Sequence, residues 1–459
     1  GSGLDLSSIL DSLTAAQKAT LTPISNQQSS FTAKLSAYGT LKSALTTFQT
    51  ANTALSKADL FSATSTTSST TAFSATTAGN AIAGKYTISV THLAQAQTLT
   101  TRTTRDDTKT AIATSDSKLT IQQGGDKDPI TIDISAANSS LSGIRDAINN
   151  AKAGVSASII NVGNGEYRLS VTSNDTGLDN AMTLSVSGDD ALQSFMGYDA
   201  SASSNGMEVS VAAQNAQLTV NNVAIENSSN TISDALENIT LNLNDVTTGN
   251  QTLTITQDTS KAQTAIKDWV NAYNSLIDTF SSLTKYTAVD AGADSQSSSN
   301  GALLGDSTLR TIQTQLKSML SNTVSSSSYK TLAQIGITTD PSDGKLELDA
   351  DKLTAALKKD ASGVGALIVG DGKKTGITTT IGSNLTSWLS TTGIIKAATD
   401  GVSKTLNKLT KDYNAASDRI DAQVARYKEQ FTQLDVLMTS LNSTSSYLTQ
   451  QFENNSNSK

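Results

Sequence analysis

Cysteine is absent from this sequence, and histidine occurs once, at His92. Those absences exclude disulfides, thiolate metal sites, Cys–His nucleophiles and the zinc motifs that need two histidines. Proline occurs three times, at Pro23, Pro129 and Pro341, which leaves room for long uninterrupted helices. Aromatic residues make up 4 % and hydrophobic residues 37 % of the 459. A chain so poor in bulky side chains buries little apolar area per residue. Its length exceeds one ordinary core, so two to four elongated domains with thin cores are expected. No long Lys/Arg run occurs and the net charge is −8, which argues against nucleic acid as a partner. No stretch approaches the roughly 18 apolar residues of a membrane span. The opening also lacks the basic-then-apolar pattern of a secretory signal. Membrane insertion is therefore not expected.

What is present is helical periodicity at both ends and strand periodicity between them. Leu4, Leu6, Ile9, Leu10 and Leu13 form a short apolar segment, and Thr22-Pro23 breaks or restarts a helix. Phe31, Leu35, Tyr38, Leu41, Leu45, Phe48 and Leu55 then follow one helical stripe. Residues 61–80 are too polar and β-branched for a helix and read as extended chain. Period-two alternation follows, first at Tyr86/Ile88/Val90 and last at Leu253/Ile255. Two short helices are expected among those strands, one on Leu141, Ile144 and Ile148, the other on Ile232, Leu236 and Ile239. They suggest two related β-α-β modules. Helix returns with Ile266, Trp269, Tyr273, Leu276, Phe280 and Leu283, and again after a cap at Asp306. Residues 336–359 read as strand, turn, strand and helix, with Asp349 as N-cap.

The final helix carries Val402, Leu406, Leu409, Tyr413, Ala416 and Ile420, then Val424, Tyr427, Phe431, Leu434, Met438, Leu441 and Leu448. That is a heptad pattern with one stutter between Ile420 and Val424. No Gly or Pro interrupts residues 402–448, so the helix is expected to run for roughly 70 Å at about 1.5 Å per residue. The fold class is α+β and multidomain. Long coiled-coil-like terminal helices form a leg, and strand-rich head domains are inserted between them. The alternative is two unrelated helical domains. The expected divisions are a terminal segment 1–33 pairing with 420–459, a helical body 34–75 with 259–419, an inner β-rich domain 76–97 with 206–258, and an outer one, 98–205.

Sites of chemistry are scarce. Residues 365–375, GALIVGDGKKT, lack the Gly-Lys-Ser/Thr that closes a phosphate loop. Residues 340–351 have the wrong ligand spacing for a calcium loop and read as a turn followed by a helix cap. Asp106-Asp107 and Asp189-Asp190 read as solvated loop charges, and His92 as a strand-end surface residue. No catalytic, cofactor-binding or metal-binding residue is assigned.

Several segments together resemble the flagellar filament cap, or hook-associated protein 2, family. They are GLDLSSILDSL (3–13), KLSAYGTLKSAL (34–45), AGKYTISVTHLAQAQ (83–97), LAQIGITTDPSDGKLELDADKL (332–353) and YKEQFTQLDVLMTSLNSTSSYL (427–448). Residues 140–173 resemble the IN module of hook-associated proteins and some flagellins. A Leu-Phe pair of the family is Leu367-Ile368 here. The resemblance implies a non-catalytic cap at the distal tip of the bacterial flagellum that promotes folding and insertion of exported flagellin. It implies a ring of five, or six, copies, with the junction hook-associated protein and flagellin as neighbours. It also implies export by the flagellar type III apparatus and a chaperone covering the C-terminal segment. Self-association and filament contact are expected at Leu10, Leu13, Tyr427, Phe431, Leu434, Met438, Leu441 and Leu448. A tip adhesin whose head binds mucin or glycans is the alternative.

Overall fold

A computed structural model describes residues 5–124, 126–321, 324 and 326–458. Leu4, the first residue of the expected apolar opening, lies outside them. The chain divides into two compact units, residues 1–61 with 262–459 and residues 62–261. The chain starts in the first, crosses the second and returns. The two units differ in charge: the helical unit has 23 Lys and Arg against 22 Asp and Glu, the strand-rich unit 10 against 19. The net negative charge therefore belongs to the strand-rich unit.

The helical unit opens with α1 (Leu6–Ala19) and α2 (Thr22–Leu55). Asp5 caps α1 by accepting from the Ser8 N–H, and Pro23 sits in the first turn of α2, where its missing N–H costs nothing. The apolar residues of α2 face the core, with Leu41, Leu45 and Phe48 fully buried.

The strand-rich unit follows. Its inner part begins with β1 (Thr64–Ser68), β2 (Phe73–Thr77) and β3 (Gly84–His92). The outer part holds β4 (Thr98–Thr101), β5 (Ser117–Gln123), β6 (Ile130–Ile134), α3 (Leu141–Ala151), β7 (Val155–Gly163), β8 (Glu166–Ser173), β9 (Met182–Ser187), α4 (Asp190–Met196) and β10 (Met207–Val211). The inner part closes with β11 (Ala216–Val220), β12 (Val223–Asn227), β13 (Thr231–Leu236), β14 (Ile239–Leu243) and β15 (Gln251–Gln257). Two sheets order as β1-β15-β3-β11-β12 and β13-β14-β2 and enclose Ile88, Val90, Leu218, Leu241 and Leu253. Two more, β10-β4-β8-β7 and β6-β5-β9, enclose Leu99, Leu119, Ile144, Leu169 and Leu192. Gln97 ties the two parts, its side-chain oxygen accepting from the Met182 N–H at 2.7 Å.

Two expectations are corrected here. Residues 231–239 form strands β13 and β14 of a hairpin, not a helix. Leu236 pairs with Ile239 across a two-residue turn in which Asn238 has φ +59°, a conformation asparagine tolerates. Ile239, Leu241 and Leu243 alternate and pair with β2, so sheet pairing overrides the short 4-3 spacing, and the second β-α-β module does not exist. Residues 61–80 are largely extended, as expected, and pair as β1 and β2, joined by side-chain bonds such as Thr64 to Thr77 at 2.8 Å. Asp189 is not a solvated charge. It is buried, caps α4 through the Leu192 N–H, and accepts from Thr114 and Ser115. These donors hold its carboxyl well below the ordinary range. The first expected helix is present as α3. There Ser140 caps the Gly143 N–H, and a Cβ on Gly143 would meet the Asn138 carbonyl oxygen at 2.1 Å.

The chain returns to the helical unit through α5 (Ser260–Leu283) and α6 (Ser307–Met319). A small hairpin, β16 (Ile337–Thr339) and β17 (Leu346–Leu348), leads to α7 (Ala350–Ile368), α8 (Ile377–Leu389) and α9 (Ile394–Ser456). Phe48, Trp269 and Tyr273 form an aromatic cluster with ring centroids 5.9–6.0 Å apart. Buried Asn52 bridges three helices, accepting from the Trp269 indole at 3.0 Å and donating to the Thr378 carbonyl at 2.9 Å. Asp306 caps α6 and holds the Tyr38 hydroxyl, with Lys34 at 3.4 Å. The 365–375 stretch closes α7 and continues as a turn in which Asp371 accepts the N–H groups of Lys373, Lys374 and Thr375, so its own carboxylate occupies the donors a phosphate would need. Asp340 accepts from Ser342 and Asp349 caps α7, the turn and cap expected there.

Candidate assembly face of the terminal helices

The final helix has 63 residues, about 95 Å at 1.5 Å per residue. Its early stripe enters the core: Ile395 and Val402 belong to the unit's core cluster, and Leu409 and Ile420 further along are also buried. Ile420 is the last buried residue on it, immediately before the stutter. Beyond that point the cover is α1. Gln28 of α2 donates to Thr410 at 3.3 Å, and Gln17 and Thr20 of α1 share a hollow with Ala416, Ile420 and Gln423. The pairing is thus antiparallel. Continued at one residue per residue, it places Leu13 and Leu10 beside Val424 to Phe431, and Leu6 near Leu434.

The burial of each expected contact residue follows this geometry. Leu10 and Leu13 on α1 are half-buried, as are Tyr427, Phe431 and Met438 on α9. Leu434 is 37 % exposed, Leu441 53 % and Leu448 49 %. The antiparallel register sets Leu10 and Leu13 beside Tyr427 and Phe431, carries Met438 past the start of α1, and leaves Leu441 and Leu448 with open faces. Sequence reading missed Leu437, at 55 %, and Phe452, at 71 %. Phe452 lies four residues after Leu448 and in phase with the stripe, which was the available signal. Val436 and Tyr447 are also exposed and point to another side of the helix, by the 100° step per residue. From 436 to 452 no residue is charged. A solvated helix face ordinarily carries charges; this one carries Ser, Thr, Asn and Gln between exposed apolar side chains.

Among the described residues no group of three or more His, Cys, Asp or Glu could hold a metal, and no helix is long and apolar enough to cross a membrane. His92 is exposed, its ring nitrogen 3.3 Å from its neighbour Thr91.

Comparison with known proteins agrees with this architecture. The chain matches the family models for the flagellar hook-associated protein 2 N-terminus over residues 2–97 and C-terminus over residues 213–443. Residues 118–175 match the flagellin hook IN motif. It is 99 % identical, over its whole length and 98 % of the relative, to flagellar hook-associated protein 2 of Escherichia coli O157:H7. It is 50 % identical to the protein of that name from Salmonella typhimurium, over 98 % of this chain and 97 % of the relative. A crystal structure of the D1-D2-D3 domains of the Escherichia coli flagellar cap protein is 96 % identical, with a TM-score of 0.76 over 80 % of this chain and 99 % of that one. The match of the terminal helices and of the strand-rich unit between them places the chain in the flagellar hook-associated protein 2 family.

Proposed function

We propose that this protein is a structural cap at the distal tip of the bacterial flagellar filament, promoting folding and insertion of exported flagellin. The observation that carries the reading is the uncovered stripe on α9. A long apolar face that has its last buried residue at Ile420 and leaves Leu441, Leu448 and Phe452 exposed among the described residues is built to pack on another molecule. Tyr427, Phe431, Leu434, Met438, Leu441 and Leu448, with Leu10 and Leu13, form the contact face, and Leu437 and Phe452 extend it. Residues 1–33 with 420–459 act as the leg and the rest of the helical unit as its body. Five or six copies form the ring, with flagellin and the junction hook-associated protein as neighbours. Inside the cell an export chaperone covers the C-terminal stripe, and the flagellar type III apparatus exports the chain. The role is non-catalytic.

The adhesin reading gains no support. Among the described residues the exposed aromatics, Tyr286, Tyr447 and Phe452, all lie in the helical unit, so the strand-rich head offers no exposed ring for a sugar to stack on. Deletion of the gene separates the two readings. A cap mutant leaks monomeric flagellin into the medium and builds no filaments, whereas filaments of normal length would refute the cap role.

A further inference from the structure

The four-stranded sheet β10-β4-β8-β7 ends on β7, which has β8 on one side and no described strand on the other. Natural edge strands are protected by Lys, Pro, bulges or a covering element. Residues 155–162 of β7 contain no charge and no proline, and its register is regular as far as Asn161. One protecting contact exists. Asn149 of α3 donates to the Ala157 carbonyl at 3.0 Å and accepts from the Ala157 N–H at 2.7 Å, imitating a neighbouring strand at that single residue. This bond also fixes the parity of the edge. Ala157, and with it Ile159 and Asn161, turn their backbone groups outward, while Ser158, Ile160 and Val162 carry side chains on the open face. Ile160 is 44 % and Val162 47 % exposed. The protected half of the edge thus ends where an unprotected, apolar half begins.

We propose that the open half of β7, residues 158–162, is a self-pairing edge: two copies of this chain join their four-stranded sheets antiparallel about a two-fold axis at Ile160. The parity selects this register. Centred on Ile160, the outward backbone groups of Ile159 meet those of Asn161 in the second copy, which makes a hydrogen-bonded pair. Ile160 then faces its own counterpart in a non-hydrogen-bonded pair, where side chains lie closest, and Val162 covers Ser158. Asn149 occupies Ala157, outside the paired residues 158–162, and falls opposite Gly163 of the second copy, which has no side chain to meet it. A second copy is the favoured occupant because the two-fold register makes the edge complementary to itself and residues 155–162 carry no charge, so the repulsion between two negatively charged units is least along this strand. Five residues a side fall below the area of a stable complex, so the pairing is weak and concentration-dependent. It stands apart from the cap reading, which rests on the terminal helices.

The absence of cysteine makes a clean test. In the full chain, Ile160→Cys places two thiols across a pair whose Cα atoms are about 4.5 Å apart, within disulfide reach. Ser156→Cys, exposed on the same strand, puts its thiols eight positions out of register. Mild oxidation at rising protein concentration is read on a non-reducing gel. The expected result is at least a tenfold higher disulfide-dimer yield for the Cys at 160 than at 156, lost when Ile159→Pro is added. Equal yields at the two positions, a yield insensitive to Ile159→Pro, or crosslinking of the Cys at 160 preferentially to Val209→Cys on β10 would overturn the two-fold pairing. Circular dichroism of each variant separates loss of pairing from loss of fold.

Discussion

The two halves of α9 have the same spacing and different fates. Residues 394–420 bury Ile395, Val402, Leu409 and Ile420, whereas residues 421–456 bury none. Helical periodicity therefore announces that a face needs covering and is silent on the source of the cover. The first half is covered by the unit's own core, the next few turns by α1, and the last by nothing among the described residues. Composition changes with cover. Charges such as Lys404, Lys408 and Lys411 line the solvent side of the covered half, while residues 436–452 carry none.

The largest effect should come from charging the covered half. Val402→Asp places an unpaired carboxylate in the core, a destabilisation of about 3 kcal/mol or more, read as early loss of helix on denaturant unfolding. The matching change in the open half, Phe431→Asp with Leu434→Asp, should abolish swarming while far-ultraviolet dichroism and the melting of the strand-rich unit stay as in the parent. If motility survives, the open half is not an assembly face. Third, Asn52→Ala removes a polar tie between α2, α5 and α8 inside the core that covers the first half, and leaves the buried Trp269 indole N–H unpaired. Such a loss costs about 1–3 kcal/mol, seen as a lower denaturation midpoint. The smallest contrast comes from titration. Burial pushes the Tyr273 phenol up to about 12. A folded value raised above the ordinary one of about 10 gives stability that is complete below pH 10 and lost as pH rises through 12. The core beside the first half of α9 should loosen across that window, followed by near-ultraviolet dichroism, and Tyr273→Phe should flatten the response.

Much of the helical unit was legible because its residues repeat at helical spacing over many turns. Trp269 and Tyr273 are core where the stripe puts them, and Asp306 and Asp349 cap α6 and α7 as their place before apolar runs suggests. Short segments were not legible. The 231–239 hairpin imitates two helical turns until β2 supplies a pairing partner, and β1 and β2 hide in Ser and Thr that only cross-strand bonds define as strand. Asp189 looked like half of a solvated pair because its donors, Thr114 and Ser115, lie some 75 residues away in sequence. Of the assembly face, the heptad positions through Leu448 could be read directly. Phe452 escaped because the pattern skips Ser445 and weakens toward the end.

The stripe from Leu441 to Phe452, exposed among the described residues, should gain its cover from other molecules on assembly. Hydrogen–deuterium exchange of that segment tests it, comparing the dilute monomer with the protein assembled on filament tips. Fast exchange in the monomer and strong protection after assembly are expected, with residues 394–420 protected in both. Slow exchange at 441–452 in the dilute monomer would contradict it.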